Sequence, residues 1–226
     1  MKIGLLECDD VVGRFPGIRG GYREMFAALL PDFSFRYYAA HRGELPSSPG
    51  ACDAWISTGS KYSVYDGTPW IAELAGFIRS LDKPFVGICF GHQMLAHAMG
   101  GEVAKAKQGW GVGVLPLEIL KEEPWMKPAM SQVRIQHMHQ DQVLRLPEKS
   151  VLLGRSPHCD VGMFRIGETK LGIEGHPEFT VEYGAALINA RRKQIGAQTD
   201  RALNSLKEKS DGPVVGRWIG NFLKRA

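Results

Sequence analysis

Cysteine is scarce in this chain: four of 226 residues, at positions 8, 52, 89 and 159, too scattered for a disulfide framework. A reducing compartment is therefore expected, and with it a cytoplasmic location. Long apolar runs are missing too. The greasiest stretch, 84–99, is broken by Gly, His and Gln, short of the roughly 18 to 20 apolar residues of a spanning helix, so no membrane association is expected. The N-terminus turns acidic at Glu7, Asp9 and Asp10, which is too early for a secretory signal. Phosphate-cradling glycine patterns are absent: Trp110, Gly111 and Gly113 follow neither a Walker-type Gly-Lys-Ser nor a Gly-x-Gly-x-x-Gly opening a helix, and no cofactor is implied.

Charge of one sign is nearly balanced, with 28 Lys and Arg against 24 Asp and Glu and a net charge of +4. The basic excess sits in residues 180–226. There Arg191-Arg192-Lys193 follows Ala186, Leu187 and Ala190 at helical spacing, which describes a solvated helix face rather than a nucleic-acid surface. Without repeats, low-complexity tracts or linkers, 226 residues make one domain, with a core over about 1–179 and a helical extension over 180–226.

What is present alternates. Apolar runs at 3–6, 33–39, 54–57 and 85–88 read as short strands. Between them, 22–30 and 68–81 carry apolar residues at a 3.6-residue period; the second has Thr68 in the N-cap place and Pro69 at the first helical position. Another helical pattern follows Cys89 and ends at Gly100-Gly101. This alternation predicts an α/β fold with a doubly wound, mostly parallel sheet and helices on both faces. Strand-like runs at 112–117, 132–138, 151–154, 161–166 and 171–173 predict an antiparallel extension, and an apolar stripe over 214–223 predicts a last helix packed on the core.

The sharpest chemical feature is Gly87-Ile88-Cys89-Phe90-Gly91-His92-Gln93, where a buried strand gives way to a helix. Glycines two residues either side of Cys89 are what a nucleophile elbow needs: a tight, strained turn that lifts one side chain above the sheet edge. The helix N-terminus favours thiolate, and backbone N–H groups at the turn can receive an oxyanion. A second strand, ending in Glu174-Gly175-His176-Pro177-Glu178, supplies an imidazole and a carboxylate able to orient it. Cys89, His176 and Glu178 make a nucleophile, base and orienter.

These two motifs, in this order, resemble the class I glutamine amidotransferases. With Thr58-Gly59-Ser60-Lys61 and Asp66-Gly67-Thr68-Pro69-Trp70-Ile71 beside them, the likeness is to the stand-alone members similar to the amidotransferase half of GMP synthase, including γ-glutamyl peptidases. The resemblance runs from Met1 to about Phe179. It implies that Cys89 attacks a γ-carboxamide to give a γ-glutamyl thioester, that His176 protonates the departing amine, and that Glu178 orients His176. It also implies that the backbone N–H groups of Gly59 and Phe90 hold the oxyanion and that Gln93 helps position the glutamyl portion. The substrate is then glutamine or a γ-glutamyl peptide. Synthetases of this family carry an acceptor domain for ammonia, for which this chain has no room, so a separate synthetase partner is the alternative.

Other residues are read more plainly. Cys8, Cys52 and Cys159 are structural. His137 and His139 share one strand face but lack a third ligand at fixed spacing, so no metal is expected and a structural or pocket-lining role is. Asp141 is ambiguous. His92 and His97 are read as packing residues of the helix after the nucleophile, and Trp70 and Trp218 as core.

Overall fold

A computed structural model describes residues 1–11, 15 and 21–225. In chain order its elements are strand β1 (Lys2–Leu6), helix α1 (Tyr22–Leu29), β2 (Ser34–Tyr38), β3 (Ala54–Ser57), α2 (Pro69–Ser80), β4 (Phe85–Ile88), α3 (Phe90–Ala98), β5 (Glu102–Lys105), β6 (Gly111–Ile119), β7 (Gln132–His139), β8 (Asp141–Arg145), β9 (Ser150–Arg155), β10 (Met163–Ile166), β11 (Lys170–Ile173), α4 (Val181–Ala190), α5 (Arg192–Ile195), α6 (Thr199–Ser205) and α7 (Gly212–Arg225). Nine strands form one sheet in the order β2-β1-β3-β4-β11-β10-β9-β6-β7, and β5 pairs with β8 in a separate two-stranded ribbon. None of the described helices is long and apolar enough to cross a membrane.

The central strands bury both faces, which is why they read as unbroken apolar runs. Alternate residues serve opposite sides: Ile3, Leu5, Ile56, Val86 and Ile88 face a core shared with α1, α4 and α7. Leu6, Trp55 and Phe85 face a second core shared with α2 and α3. The expected last helix is α7, with Val215, Trp218, Ile219, Phe222 and Leu223 almost wholly buried beside α1. Each large side chain so buried contributes about 1.5 to 3 kcal/mol, so α7 is an integral layer of the fold. Thr68 does stand at the N-cap of α2, but its hydroxyl is buried with no hydrogen-bond partner among the described residues; the Thr68 carbonyl takes the first N–H, from Ile71.

One strand runs against expectation. β11 belongs to the parallel half, paired with β4 in the register Leu171 to Val86 and Ile173 to Ile88; the antiparallel extension begins only at β10. The consequence is that β4 and β11 end at the same edge of the sheet.

Candidate active site

β4 stops at Ile88 and α3 starts at Phe90, which leaves Cys89 alone in the turn with φ 52° and ψ −105°. A side chain with a Cβ is strained there by about 1 to 3 kcal/mol. Neighbouring bonds hold it: the Cys89 N–H donates to the Ile173 carbonyl at 2.9 Å and the Cys89 carbonyl accepts from the Gln93 N–H at 3.0 Å. The flanking glycines are needed for contact rather than for φ. A Cβ on Gly87 would lie 2.2 Å from the Gly91 carbonyl oxygen, and one on Gly91 would lie 2.5 Å from that of Ser57. Only with both bare can α3 seat on β3 and β4.

Cys89 lines a cavity of about 520 Å³ whose walls include Ser60, Gln93, Trp110, His139, Asp141 and Arg191. It also borders a narrow pocket of about 20 Å³ together with His176 and Tyr22. His176 is fixed on three sides. Its backbone N–H donates to the Gln136 carbonyl at 2.7 Å, its ring stacks on Phe179 with centroids 3.8 Å apart, and its Nδ1 donates to Glu178 Oε1 at 2.7 Å. A carboxylate acceptor at Nδ1 leaves Nε2 free to take a proton. Gly59, at the end of β3, packs against this ring: a Cβ there would stand 2.7 Å from His176 Cε1 and 2.9 Å from the Tyr22 hydroxyl. The two motifs and the Gly59 turn thus converge on one place.

The thiolate expectation needs correction. Burial pushes the Cys89 thiol well above its usual value; Glu178 pushes the same way, as Glu174 would if ionised, and the Phe90 N–H and Arg191 only partly offset them. With 5% of its surface exposed, the sulfur loses more solvation than the helix terminus returns. The surroundings thus favour the thiol over the thiolate.

Gln93 lines the large cavity, but both amide hydrogens are engaged, by the Asp141 carbonyl at 2.9 Å and by Glu174 Oε1 at 2.8 Å. Asp141 itself accepts from the hydroxyls of Ser63 at 2.5 Å and Tyr65 at 2.9 Å, which ties the loop after Gly59 to the start of β8. His137 and His139 share a strand face and face each other, Nδ1 of the first 3.2 Å from Nε2 of the second. Burial drives His137 down to about 3 and His139 well below the ordinary value, so both rings are neutral. His92 is buried edge-on against Phe164. His97, by contrast, is exposed rather than packed, because it lies on the outer face of α3. Cys8, Cys52 and Cys159 are free and buried.

Three residues of the site escape the sequence. Arg191 reads there as one of a solvated trio with Arg192 and Lys193; its neighbours are exposed, but Arg191 is half-buried, 5.8 Å over the Trp110 ring at the cavity wall. Tyr22 reads from sequence as one more apolar position of α1. Glu174 does leave a signal, an acidic side chain at the end of an apolar strand and two residues before His176, on the same face.

Residues 59–192 match the family Glutamine amidotransferase class-I. The chain belongs to this family. As a class I glutamine amidotransferase it is 32% identical over 223 residues to γ-glutamyl peptidase 4 of Arabidopsis thaliana, covering 91% of this chain and 88% of that one. It is 35% identical over 120 residues to a glutamine-hydrolysing GMP synthase component of Pyrococcus furiosus, covering 52% and 63%. Its fold matches the crystal structure of a glutamine amidotransferase from Thermotoga maritima with a TM-score of 0.75 at 20% identity, over 98% of this chain and 96% of that one.

Proposed function

We propose that this amidotransferase hydrolyses a γ-glutamyl amide through a thioester on Cys89, with His176 as the base and Glu178 as its orienter. As the sulfur attacks the γ-carbonyl carbon, its proton passes to His176 Nε2 and the carbonyl oxygen becomes an oxyanion facing the N–H groups of Gly59 and Phe90. Collapse expels the amine, which takes the proton from His176. Water, activated by the same imidazole, then cleaves the thioester and frees glutamate. Because the resting thiol is protonated, proton transfer accompanies attack. The observation that carries this reading is the buried 2.7 Å bond from His176 to Glu178, beside a pocket that His176 shares with a cysteine held in a left-handed turn.

The leaving group is read from the cavity. A volume of about 520 Å³ is of the size that takes drug-sized ligands, and it offers the cations Lys61 and Arg191. Both features favour a γ-glutamyl peptide over glutamine alone, in keeping with the similarity to a γ-glutamyl peptidase. The test is turnover: γ-glutamyl dipeptides and glutamine are each incubated with the protein, glutamate release is followed, and intact mass is measured after brief exposure. An acyl adduct that vanishes in Cys89→Ala supports the reading; no release and no adduct with either substrate class overturns it.

A second reading, a glutaminase serving a separate synthetase, draws on the similarity to the GMP synthase component. It expects negligible activity from the isolated chain and stimulation by a co-purifying partner.

A further inference from the structure

Glu174 has no surface exposure and sits beneath the nucleophile turn. From α3, Gln93 donates to its Oε1 at 2.8 Å, and His92 presents Nε2 to its Oε2 at 3.4 Å. Cys89 contacts it from the turn, His139 Nδ1 lies 3.7 Å away, Asp141 acts on it electrostatically from the start of β8, and Cys159, between β9 and β10, is within its electrostatic reach. Among the described residues neither Lys nor Arg pairs with it. His92 cannot supply the missing cation: burial takes it down to about 3, and it is neutral. A carboxylate here would be an isolated buried charge, which proteins avoid by protonating the group; burial does raise the Glu174 carboxyl well above its usual range.

Oε2 of Glu174 and Nε2 of His92 are both buried without a hydrogen-bond partner among the described residues. With the single hydrogen of the neutral His92 ring on Nδ1, beside the Gly172 backbone, a proton on Oε2 turns two facing acceptors into a donor and an acceptor. We propose that Glu174 is a positioning residue working as a neutral carboxylic acid: Oε1 holds Gln93 in the cavity wall, and the proton on Oε2 is directed to His92, so that no second negative charge stands beside the sulfur of Cys89. This rests on the γ-glutamyl thioester reading. Ionised Glu174 would leave Oε2 and His92 Nε2 as two facing acceptors and would oppose formation of the thiolate.

The test exploits the fact that an amide copies a neutral acid and not a carboxylate. In Glu174→Gln, Oε1 still accepts from Gln93 and the NH₂ replaces the acid O–H toward His92. Glu174→Met keeps the volume and removes both. Two readouts are taken across pH 5 to 10 on the full chain: kcat/KM with a γ-glutamyl dipeptide, and the rate of Cys89 alkylation by iodoacetamide, which needs no substrate. At pH 7, Glu174→Gln is expected to keep kcat/KM within about threefold of the parent, and Glu174→Met to lose at least about tenfold while still folded by near-UV circular dichroism. The alkylation midpoint of Glu174→Gln is expected within about 0.3 pH unit of the parent, because exchanging one neutral group for another leaves the charge beside the sulfur unchanged. The proposal is overturned if Glu174→Gln falls as far as Glu174→Met, if Glu174→Met matches the parent, if Glu174→Gln fails to fold, or if the alkylation midpoint of Glu174→Gln lies about half a pH unit or more below the parent, about a threefold higher rate on the rising limb, which marks a carboxylate charge removed. Failure of the thioester reading shows differently, as no turnover by the parent itself, and the alkylation arm then still decides.

Discussion

Cys89 donates its backbone N–H to the carbonyl of Ile173 at 2.9 Å, three residues short of His176. That bond continues the parallel pairing of β4 with β11, where Ile88 and Ile173 are register partners. Cys89 and His176, the proposed nucleophile and base, therefore follow adjacent strands of one sheet, at its carboxyl edge, where open α/β folds bind ligands. The segment beyond β11 is steadied by the His176 N–H, which donates to the Gln136 carbonyl of β7 at 2.7 Å.

Glycine at position 87 is expected to be irreplaceable. In Gly87→Ala the new methyl would lie 2.2 Å from the Gly91 carbonyl oxygen and 2.4 Å from its carbon, both backbone atoms that cannot swing away. The strand and α3 must part, at a cost of about 3 kcal/mol or more. Urea denaturation should show the lost stability, and a variant as stable as the parent would mean that the turn is looser than described.

Removing Glu178, the proposed orienter, should slow chemistry without weakening substrate binding. Glu178→Gln leaves a neutral acceptor at His176 Nδ1 that no longer stabilises the imidazolium formed when the thiol gives up its proton; comparable changes in other triads lower kcat by about 10⁴-fold. A fall of two or more orders of magnitude in kcat with KM changed less than about threefold is the expected result, read from steady-state hydrolysis of a γ-glutamyl dipeptide. An unchanged kcat would remove Glu178 from the mechanism.

How much of this is visible in the sequence differs by kind of information. Strands β3 and β4 are legible to the residue because they are fully buried and so almost wholly apolar, and the elbow is legible because strand, glycine spacing and helix are all local. The orientation of β11 is not: a four-residue strand looks the same in either direction, and only its distant partner β4 sets it. β5 and β8 escape because Glu102, Lys105, Asp141 and Arg145 at their ends hide any apolar alternation. The ionisation of Cys89 is misread from sequence for the same reason. The helix terminus can be read in the chain, whereas burial sums over every element packed around the sulfur.

Acid should destabilise the fold in a way that His137 reports. His92 and His137 stay neutral down to about pH 3 in the folded protein, whereas in the unfolded chain each takes a proton near pH 6.5. Between those values the unfolded state binds more protons, so stability falls as pH falls, by about 1.4 kcal/mol per pH unit for each imidazole. Urea midpoints between pH 7 and 5 should therefore decline less steeply in His137→Asn than in the parent. Equal slopes would show that this ring is protonated in the fold.

Arg191 offers the sharpest distinction between the two leaving groups. It reaches the cavity from the turn between α4 and α5 and is held over Trp110, on the wall that also carries Cys89. The amino acid that leaves a γ-glutamyl dipeptide presents a carboxylate that departing ammonia lacks, and a hydrogen bond from a guanidinium to such a group is worth about 1.5 to 3 kcal/mol. Arg191→Ala is thus expected to raise KM for a γ-glutamyl dipeptide by about tenfold or more, and to change KM for glutamine by less than about threefold. Because Arg191 also helps lower the thiol of Cys89, a uniform drop in kcat for both substrates is a separate, smaller effect. Equal rises in KM for both would instead assign Arg191 to the glutamyl half that the two substrates share.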